Sequence, residues 1–387
     1  MPHLTSETMR RAVIIGAGIG GVAAGIALAA RGWDVTLSEQ APALTEVGAG
    51  LQLGPNAVAV LDALGVGDEL RAAAAEPNRV EMRDDRTGAL IAQVTLGDDV
   101  VARHGRPYLQ LHRADLLQVL LHAAERAGVR LAFGTRVEDL ESVAEADLVV
   151  AADGIKSAAR ERIAGRSSPQ FLGHVAWRAL VAADRVPGLD TSATLLCLGP
   201  GRHLVAYPLR GGAIWNVVAV TEETTWAGEG WTEAGDPSAL HHAFRDADGP
   251  LAALLDAADA PLRWGLFGHA PLPRWTLGRC ALLGDAAHPM LPFLAQGAAM
   301  AIEDAWVLAA CLEDRSVEEG LARYARIRRP RVGRVQRTAA RNAHIYHAKG
   351  ARAAVIRFGI RAASRLPGGL LAGLDWLYGE DVTAGPP

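Results

Sequence analysis

A run of glycines between two apolar segments limits the fold of this chain more than any other feature. Residues 16–21 read Gly-Ala-Gly-Ile-Gly-Gly. They follow a short β-branched segment, residues 11–15, and precede an Ala-rich helical segment that ends near Gly32. Residues 33–38 again have strand composition. The order of strand, glycine turn, helix and strand predicts a βαβ unit, and therefore a parallel sheet with a right-handed crossover.

The spacing of these glycines is the one that a dinucleotide pyrophosphate requires. Gly16 permits a tight turn, Gly18 lets the backbone approach the phosphates, and Gly21 lets helix and strand pack closely. The free N–H groups of the helix N-terminus then face the phosphates. Glu39 stands at the distance of an acid that accepts hydrogen bonds from ribose hydroxyls, which excludes a 2′-phosphate. We expect FAD or NAD here; the alternative is a glycine-rich helix contact without a ligand.

The segment from Ala12 to Ala30 has no charged residue and follows Arg10 and Arg11, a pattern also typical of a signal peptide or membrane span. The glycines interrupt it at the positions where a turn is needed. A buried strand followed by a buried helix has the same apolar content. We therefore predict no transmembrane segment.

The cysteines and the charge exclude several classes of protein. Cys197, Cys280 and Cys311 are far apart and have no metal-ligand spacing, and an odd number of cysteines argues against a disulfide framework. The formal net charge is −4, which gives no electrostatic basis for nucleic-acid binding. We predict a reduced, cytoplasmic protein without a metal site.

The rest of the chain predicts that the nucleotide-binding domain is discontinuous. Residues 56–75 and 114–127 have helical spacing, residues 147–151 form a buried strand, and residues 171–220 have the β-rich runs and turns of an antiparallel meander. The buried-strand pattern returns at 280–284, and a long helical stretch follows from about 296. We predict an α/β fold: a Rossmann-like domain of residues 10–75, 101–170 and 276–333, an inserted antiparallel β-sheet substrate domain of 76–100 and 171–275, and a C-terminal helical segment of 334–387.

Four further segments resemble the group A flavoprotein monooxygenases, in the salicylate hydroxylase-like branch. They are residues 48–58 (Gly-Ala-Gly-Leu-Gln-Leu-Gly-Pro-Asn-Ala-Val), 111–116 (Leu-His-Arg-Ala-Asp-Leu), 153–160 (Asp-Gly-Ile-Lys-Ser-Ala-Ala-Arg) and 282–304, which begins Leu-Leu-Gly-Asp-Ala-Ala-His-Pro. The resemblance covers about residues 10–345 and implies that the bound dinucleotide is FAD.

The resemblance also implies which residues bind FAD. These are Gly50 and Leu51 beside the flavin ring, Arg113 at a helix start, Asp153 near the pyrophosphate, Asp285 on the ribityl and pyrophosphate oxygens, and Pro292, Gly297 and Ala298 along the isoalloxazine. A helix that begins near Gly297 would stabilise the negative charge of a reduced flavin. Alternative roles stay open: a helix N-cap for Asp285, a surface salt bridge for Arg113 and a turn residue for Asp153. His288 is expected to be structural.

Catalytic candidates lie in the predicted sheet. On a strand over residues 202–209, His203, Val205 and Tyr207 share one face. His203, with a pKa near the working pH, and Tyr207 are expected to polarise a substrate hydroxyl. Related hydroxybenzoate and hydroxynicotinate hydroxylases have a similar stretch. The alternative is a structural histidine and a core tyrosine. Arg178 lies near the cofactor or pairs with a carboxylate.

Two basic or apolar segments near the C-terminus have simpler interpretations. The run from Arg323 to Arg331 predicts a solvated helix face rather than phosphate or membrane contact. Residues 351–377 are too charged to span a bilayer, so we expect them to pack on the FAD domain or at a subunit interface.

The resemblance implies an NAD(P)H-dependent hydroxylase of a phenolic or heteroaromatic acid, which uses O₂ through a flavin C4a-hydroperoxide. No second glycine fingerprint follows a strand, so NADH or NADPH must bind transiently. Two alternatives stay open: a monooxygenase or epoxidase of a quinolone, polyketide or other larger substrate, and a flavoprotein with only an oxidase, reductase or sensing role. We expect a monomer or homodimer.

Overall fold

The computed structural model describes residues 9–43, 50–165, 168–226, 228 and 233–385. Its strands, in chain order, are β1 (Arg11–Ile15), β2 (Asp34–Glu39), β3 (Gly50–Leu53), β4 (Arg79–Asp84), β5 (Leu90–Thr95), β6 (Leu109–His112), β7 (Arg130–Phe133), β8 (Leu148–Ala151), β9 (Gln170–Ala182), β10 (Ala193–Gly199), β11 (Arg202–Leu209), β12 (Ile214–Glu222), β13 (Glu233–Ala234), β14 (Leu262–Gly268), β15 (Thr276–Leu277) and β16 (Cys280–Leu282).

The helices occupy the connections between strands and the C-terminal part of the chain. They are α1 (Ile19–Ala29), α2 (Pro55–Ala63), α3 (Gly67–Ala73), α4 (Asp98–His104), α5 (Arg113–Arg126), α6 (Ala158–Ala164), α7 (Pro237–Ala243), α8 (Pro250–Asp256), α9 (Gly297–Cys311), α10 (Val317–Tyr346), α11 (Gly350–Ser364), α12 (Gly369–Ala372) and α13 (Asp375–Tyr378).

The first sheet is the predicted parallel one. Its strand order is β15-β16-β8-β1-β2-β7, and only the β15–β16 pair is antiparallel. Helix α1 connects β1 to β2 and packs against α5 and α9, which explains why nearly all of its residues are buried. The prediction of a βαβ unit at residues 11–39 is confirmed.

The second sheet has eight strands in the order β13-β14-β9-β12-β11-β10-β4-β5. It is antiparallel except where β10 pairs with β4 in parallel. These two strands are joined by a long connection rather than a hairpin, so no tight turn dictates their relative direction. The α/β fold with a parallel-sheet domain and a largely antiparallel second domain is therefore as predicted, with one parallel pair added.

The two faces of the eight-stranded sheet have different neighbours. One face forms a core with residues of α7 and α8, among them Leu240 and Leu254. The other face packs Ala176 and Val220 against Phe293 from the segment before α9, and Tyr346 from the end of α10 lies beside them. This second face is turned towards the loops of the parallel-sheet domain.

Several local predictions differ from the structure. The helix predicted over 56–75 is two helices, α2 and α3, because Gly65 between them has φ +76° and ends the first. Residues 50–53, part of the segment 48–58 that resembles the flavin-contacting segment of the family, form β3 and pair with β6; residues 48 and 49 lie outside the described residues. Among the described helices, none is long and apolar enough to cross a bilayer. The predicted domain bounds stay a prediction, although β4 and β5, within 76–100, do join the larger sheet.

The prediction that the run from Arg323 to Arg331 forms a solvated helix face is wrong for two arginines of α10. Arg328 and Arg331 are buried, because each pairs with a carboxylate of α9. Beyond α10, α11 and α12 pack on β5 while α13 packs on α2, so the tail contacts both sheet domains.

Candidate active site

The glycine turn after β1 has the geometry that a phosphate-binding loop needs. Gly16 has φ +102°, and a Cβ there would lie 2.6 Å from the carbonyl oxygen of Ala152. A Cβ on Gly21 would lie 2.0 Å from the carbonyl oxygen of Gly16. A Cβ on Gly18, by contrast, would meet no atom of the described residues within 4 Å. Two glycines are therefore required by packing, and Gly18 opens outwards, where a pyrophosphate could approach.

Glu39 lies at the end of β2 beside this turn. Its Oε2 accepts a hydrogen bond of 2.8 Å from the backbone N–H of Ala17, and its Oε1 accepts one of 2.9 Å from Ala41. The carboxylate is thus oriented by backbone donors and stays partly exposed. This placement is the one that a ribose-binding acid requires.

Asp153 lies on the opposite side of the glycine turn, with its Cα 3.2 Å from a Cβ built on Gly16. Its Oδ2 accepts a hydrogen bond from Ala158 N, whereas its Oδ1 is buried without a partner among the described residues. Burial raises the pKa of this carboxyl, and the hydrogen bond from Ser157 opposes the shift. Asp153 therefore caps the start of α6 through Oδ2, while Oδ1 is left to accept a hydrogen bond from a ligand.

Asp285 follows β16, at the carboxyl edge of the parallel sheet. Solvent reaches its side chain, although the surrounding protein desolvates the carboxyl enough to raise its pKa. The positive charge of Arg113 and the nearby His288 oppose this shift. Arg113 also acts electrostatically on Arg178, so residues from three elements converge here. Arg113 is the first residue of α5 and is exposed, and in the described part of the chain no surface salt bridge of Arg113 is found.

A buried ionic network fixes the loop that carries Asp285. Asp304 on α9 accepts hydrogen bonds from the backbone N–H of Gly284 (3.2 Å) and from Arg328 Nε (2.7 Å), and its Oδ2 lies 2.5 Å from His288 Nε2. Arg160 ties α6 to the same loop through the carbonyl oxygens of residues 286 and 287. His288 therefore helps to fix this loop through its contact with Asp304, which is the structural role expected for it.

The neighbouring acid, Glu303, anchors the other side of the loop. It accepts hydrogen bonds from Asn56 Nδ2 (2.6 Å) and from Arg328 and Arg331 (2.7 Å each). Asn56 also donates to Gln296 Oε1 at 3.1 Å, immediately before α9. This network is not among the features predicted from the sequence. Two adjacent acids inside an otherwise apolar helix were the available signal.

The segment before α9 is held in a strained conformation. Ala295 has φ +51°, which is unusual for a residue with a Cβ. The backbone carbonyl of Phe293 accepts a hydrogen bond of 2.9 Å from Asn342. The N-terminus of α9 has no side-chain cap, and Gly297 and Ala298 are partly exposed. The N–H groups of this helix start are therefore accessible, and the predicted contact of Gly297 with the flavin stays a prediction.

The catalytic candidates share one face of the eight-stranded sheet. On β11, His203, Val205 and Tyr207 alternate with core residues. Their partners on β12 are Val220, Val218 and Asn216. The next strand, β9, adds Ala176, Arg178 and Leu180 at the same levels. At about 3.4 Å per residue, His203 and Tyr207 are separated by roughly 13 Å along β11, with partly exposed valines between them.

Tyr207 lies directly against β3. A Cβ on Gly50 would be 2.5 Å from Tyr207 Cε2 and 2.8 Å from its hydroxyl oxygen, so only glycine fits at position 50. Gly50 N also donates a hydrogen bond of 2.9 Å to Asn216 Oδ1. Burial raises the pKa of Tyr207, with Arg178 opposing the shift, so the phenol is neutral and can donate a hydrogen bond. Leu51, the next residue of β3, is partly exposed in the same region.

Arg178 is a partly buried cation, and among the described residues no carboxylate forms an ion pair with it. Its guanidinium lies 4.4 Å from the ring centroid of Trp264, and its Nε is buried with no hydrogen-bond partner in the described part of the chain. Burial lowers the pKa of Arg178 to about 10. Because an uncompensated buried charge is costly, this site favours binding of an anion.

The pKa of His203 is not near the working pH, where the sequence predicts it, but lower. It is 2% exposed and hydrogen-bonded through Nδ1 to His347 Nε2 at 2.7 Å. Burial, together with His347 and His174, lowers the pKa of His203 well below its usual value rather than leaving it near the working pH. The ring is therefore neutral at pH 7 and has one nitrogen that can accept a proton.

Comparison with known proteins gives a consistent result. A family model described as FAD binding domain matches residues 9–339. A 3-amino-4-hydroxybenzoate 2-monooxygenase of Streptomyces platensis is 38% identical over 366 residues, which cover 90% of this chain and 91% of the relative. A 3-hydroxybenzoate 6-hydroxylase of Polaromonas naphthalenivorans is 35% identical, with 96% of each chain covered. The structure of a salicylate hydroxylase substrate complex is similar, with a TM-score of 0.83, 25% identity and 99% of each chain covered.

Proposed function

The chain belongs to the FAD binding domain family, and from this premise we propose that it hydroxylates a phenolic or heteroaromatic carboxylic acid, with FAD as cofactor and NADH or NADPH as transient reductant. It is an FAD-dependent monooxygenase, like its relatives. The observation that carries the substrate proposal is the unpaired Arg178, on the same sheet face as His203 and Tyr207.

The described residues fit FAD. The N-termini of α1 and α9 both lack a side-chain cap, and these two helices pack against each other. Gly18 opens outwards beside Glu39, and Asp285 lies where parallel strands end, which is where open α/β sheets bind ligands. We therefore place the adenosine and pyrophosphate at Gly16, Gly18, Gly21, Glu39 and Asp153. The ribityl and flavin groups would contact Gly50, Leu51, Arg113, Asp285, Pro292, Gly297 and Ala298.

The chain's own residues orient the substrate and remove its phenolic proton. When bound, reduced FAD supplies the activation of O₂. In our proposal, Arg178 binds the substrate carboxylate, because a guanidinium matches a carboxylate in geometry and charge. Val205 and Val218 form the apolar surface under the aromatic ring. Neutral His203 accepts the phenolic proton, and neutral Tyr207 donates a hydrogen bond.

The two alternative functions are not favoured. The relatives named above are monooxygenases of single-ring aromatic acids, and neither a quinolone or polyketide epoxidase nor a reductase is among them. We also propose a cytoplasmic location, supported by the three buried, free cysteines. A monomer or homodimer remains the expected assembly.

The test is NADH and NADPH oxidation by the FAD-loaded protein over a matched panel of ligands. The panel contains salicylate, 3-hydroxybenzoate, 3-amino-4-hydroxybenzoate and 6-hydroxynicotinate, each beside its analogue without the carboxylate, and one quinolone. We expect at least one acid to stimulate oxidation and to gain one oxygen atom, with its decarboxylated analogue much weaker. Stimulation without an oxygenated product from any ligand would contradict the proposal.

A further inference from the structure

A line of polar groups connects His203 to the protein surface. His203 Nδ1 lies 2.7 Å from His347 Nε2, and His347 Nδ1 lies 3.3 Å from Glu222 Oε1. The Glu222 side chain is 41% exposed and accepts a hydrogen bond of 2.7 Å from Lys349. The two histidines are buried at 2% and 4% exposure, so the line runs from the sheet interior to solvent.

The carboxylate end of this line determines which nitrogen of each histidine donates a hydrogen bond and which accepts one. A carboxylate only accepts hydrogen bonds, so a proton on His347 belongs on Nδ1, facing Glu222. His347 Nε2 then accepts, and His203 Nδ1 must carry the proton that it donates. The remaining nitrogen of His203, Nε2, is on the far side of the ring and has a free lone pair. This tautomer leaves a proton acceptor on His203, at the nitrogen that faces away from His347.

His203 is poorly suited to keep a proton that it accepts. Its burial and the two neighbouring histidines lower its pKa, and burial lowers the pKa of His347 to about 4. A buried imidazolium without an adjacent anion is costly. When His203 accepts a proton from a phenol, it must therefore give up its other proton to His347 at the same time.

We propose, on the basis of the hydroxylase function above, that His347 and Glu222 conduct a proton between His203 and bulk solvent. The substrate O–H proton moves to His203 Nε2, and the His203 Nδ1 proton moves to His347 Nε2. The His347 Nδ1 proton then moves to Glu222 and leaves to water, so one proton exits and no ring stays charged. A proton that returns along this line to the product restores both tautomers. His347 and Glu222 are positioning residues, since they act through His203.

Glu222 is suited to the outer end of the line. Burial opposes its ionisation, but Lys349 and His347 outweigh this and lower its pKa, so it is an anion that can accept a proton briefly. The 3.3 Å separation of His347 Nδ1 and Glu222 Oε1 is within hydrogen-bond distance, but among the described residues Nδ1 makes no well-aligned hydrogen bond. The transfer therefore requires the half-exposed carboxylate to rotate towards His347.

The other polar groups around the two histidines have different partners. His174, whose ring centroid is 5.2 Å from that of His347, bonds through Nδ1 to the carbonyl oxygen of Leu172 at 2.7 Å. Tyr346 donates to the carbonyl oxygen of Phe293 at 3.3 Å. The titratable groups that face the line are His174, Tyr346, Lys349 and, near His174, His344. Among them, only Lys349 contacts a member of the line by a hydrogen bond.

The test measures proton release directly. The FAD-loaded protein is mixed in weak buffer with the phenolic acid that it hydroxylates, and a pH indicator reports protons by stopped flow. Glu222→Gln keeps size and polarity but cannot accept a proton, so we expect release to slow by at least about tenfold. Ligand affinity should stay within about twofold. Glu222→Asp should recover most of the rate, and the solvent deuterium isotope effect on turnover should rise in Glu222→Gln.

A second pair of variants tests His347. His347→Ala should slow release similarly and recover with added imidazole, which can occupy the vacated position; His344→Gln, at an exposed neighbour, should match the wild type. If His347→Ala does not fold, Glu222→Gln decides alone. Wild-type release rates in Glu222→Gln, with hydroxylation intact, would overturn the relay but not the function. A wild-type protein that oxygenates no ligand would overturn the function instead.

Discussion

Arg328 on α10 and Asp304 on α9 form a fully buried ion pair, with Arg328 Nε 2.7 Å from Asp304 Oδ1. The same arginine contacts Glu303, and Asp304 in turn holds Gly284 and His288 of the loop that carries Asp285. Burial opposes ionisation of both acids, but the charges around them lower their pKa values and keep them ionised. The position of Asp285 thus depends on a charge from a distant helix.

Removing this arginine should destabilise the protein strongly. Arg328→Ala leaves two buried carboxylates undercompensated, and we expect the free energy of unfolding to fall by about 3–5 kcal/mol. Urea unfolding measures the change. Arg329→Ala, at the next and exposed position of α10, is the control and should change stability by less than about 0.5 kcal/mol. Equal effects of the two substitutions would show that the buried pair is not what holds the loop.

Alanine substitutions at two glycines of the turn at residues 16–21 should affect different properties, FAD affinity in one case and stability in the other. Gly18→Ala meets no atom within 4 Å, so the apoprotein should keep its stability while FAD affinity falls at least about tenfold, or about 1.4 kcal/mol. Gly21→Ala places a Cβ 2.0 Å from Gly16 O and should destabilise the apoprotein by about 1–3 kcal/mol or more. Flavin fluorescence titration and urea unfolding separate the two effects. Unchanged FAD affinity in Gly18→Ala would contradict the pyrophosphate assignment.

Gly50→Ala should act through Tyr207. The added Cβ would lie 2.5 Å from the tyrosine ring, so the buried ring must move. We expect hydroxylated product per NADH consumed to fall to about the level of Tyr207→Phe, since general acid–base groups contribute roughly 100-fold or more. Gly359→Ala, on α11 with nothing near its Cβ, is the control. If Gly50→Ala forms as much hydroxylated product per NADH consumed as the wild type, the position of Tyr207 does not affect hydroxylation.

Arg178→Met should remove selectivity for acids. The methionine keeps packing against Trp264 but has no charge. We therefore expect kcat/KM for the acid to fall about 30-fold or more, which corresponds to about 2 kcal/mol. The decarboxylated phenol should be affected little. Arg185→Met, which breaks an exposed ion pair with Asp259, is the matched control. Equal losses for acid and phenol would assign Arg178 to the cofactor instead.

The buried histidines should make stability depend on pH. The pKa values of His203 and His347 are lowered in the folded state, so below about pH 6.5 the unfolded chain binds protons that the native chain does not. The free energy of unfolding should therefore fall as pH drops from 6.5 towards 4, by up to about 1.4 kcal/mol per pH unit for each histidine. Urea unfolding at several pH values measures the slope. His347→Gln should flatten it; an unchanged slope would mean that His347 is protonated in the native protein.

The FAD side of the molecule could be predicted well from sequence because local patterns determine it. The turn at residues 16–21 and the acid at 39 each combine a glycine or acid with a strand end, and the helix at 297 has a clear apolar pattern; the structure has all three elements at these positions. Arg328 was misassigned because a charge run has the same composition whether it faces solvent or buried acids. Only the packing of α10 on α9 distinguishes the two.

The substrate side was less predictable because its contacts are long-range. Alternation placed His203 and Tyr207 on one face, but nothing near them in sequence indicated His347, which is 144 residues away and lowers the pKa of His203. Likewise, the pairing of Asn216 with Gly50 spans 166 residues and has no sequence signal. Charge states in this sheet depend on neighbours that only the fold brings together.

Helix α10 has a consequence for how such an enzyme could diversify. Its first part, with Arg328 and Arg331, lies inside the segment that the family model matches, whereas His347 comes just after the helix and beyond residue 339. The residues proposed to hold the flavin thus lie before that limit, whereas one member of the proposed proton line, His347, lies after it. A chimera that exchanges only the chain after residue 339 would be expected to stay yellow while its acid–base behaviour follows the donor.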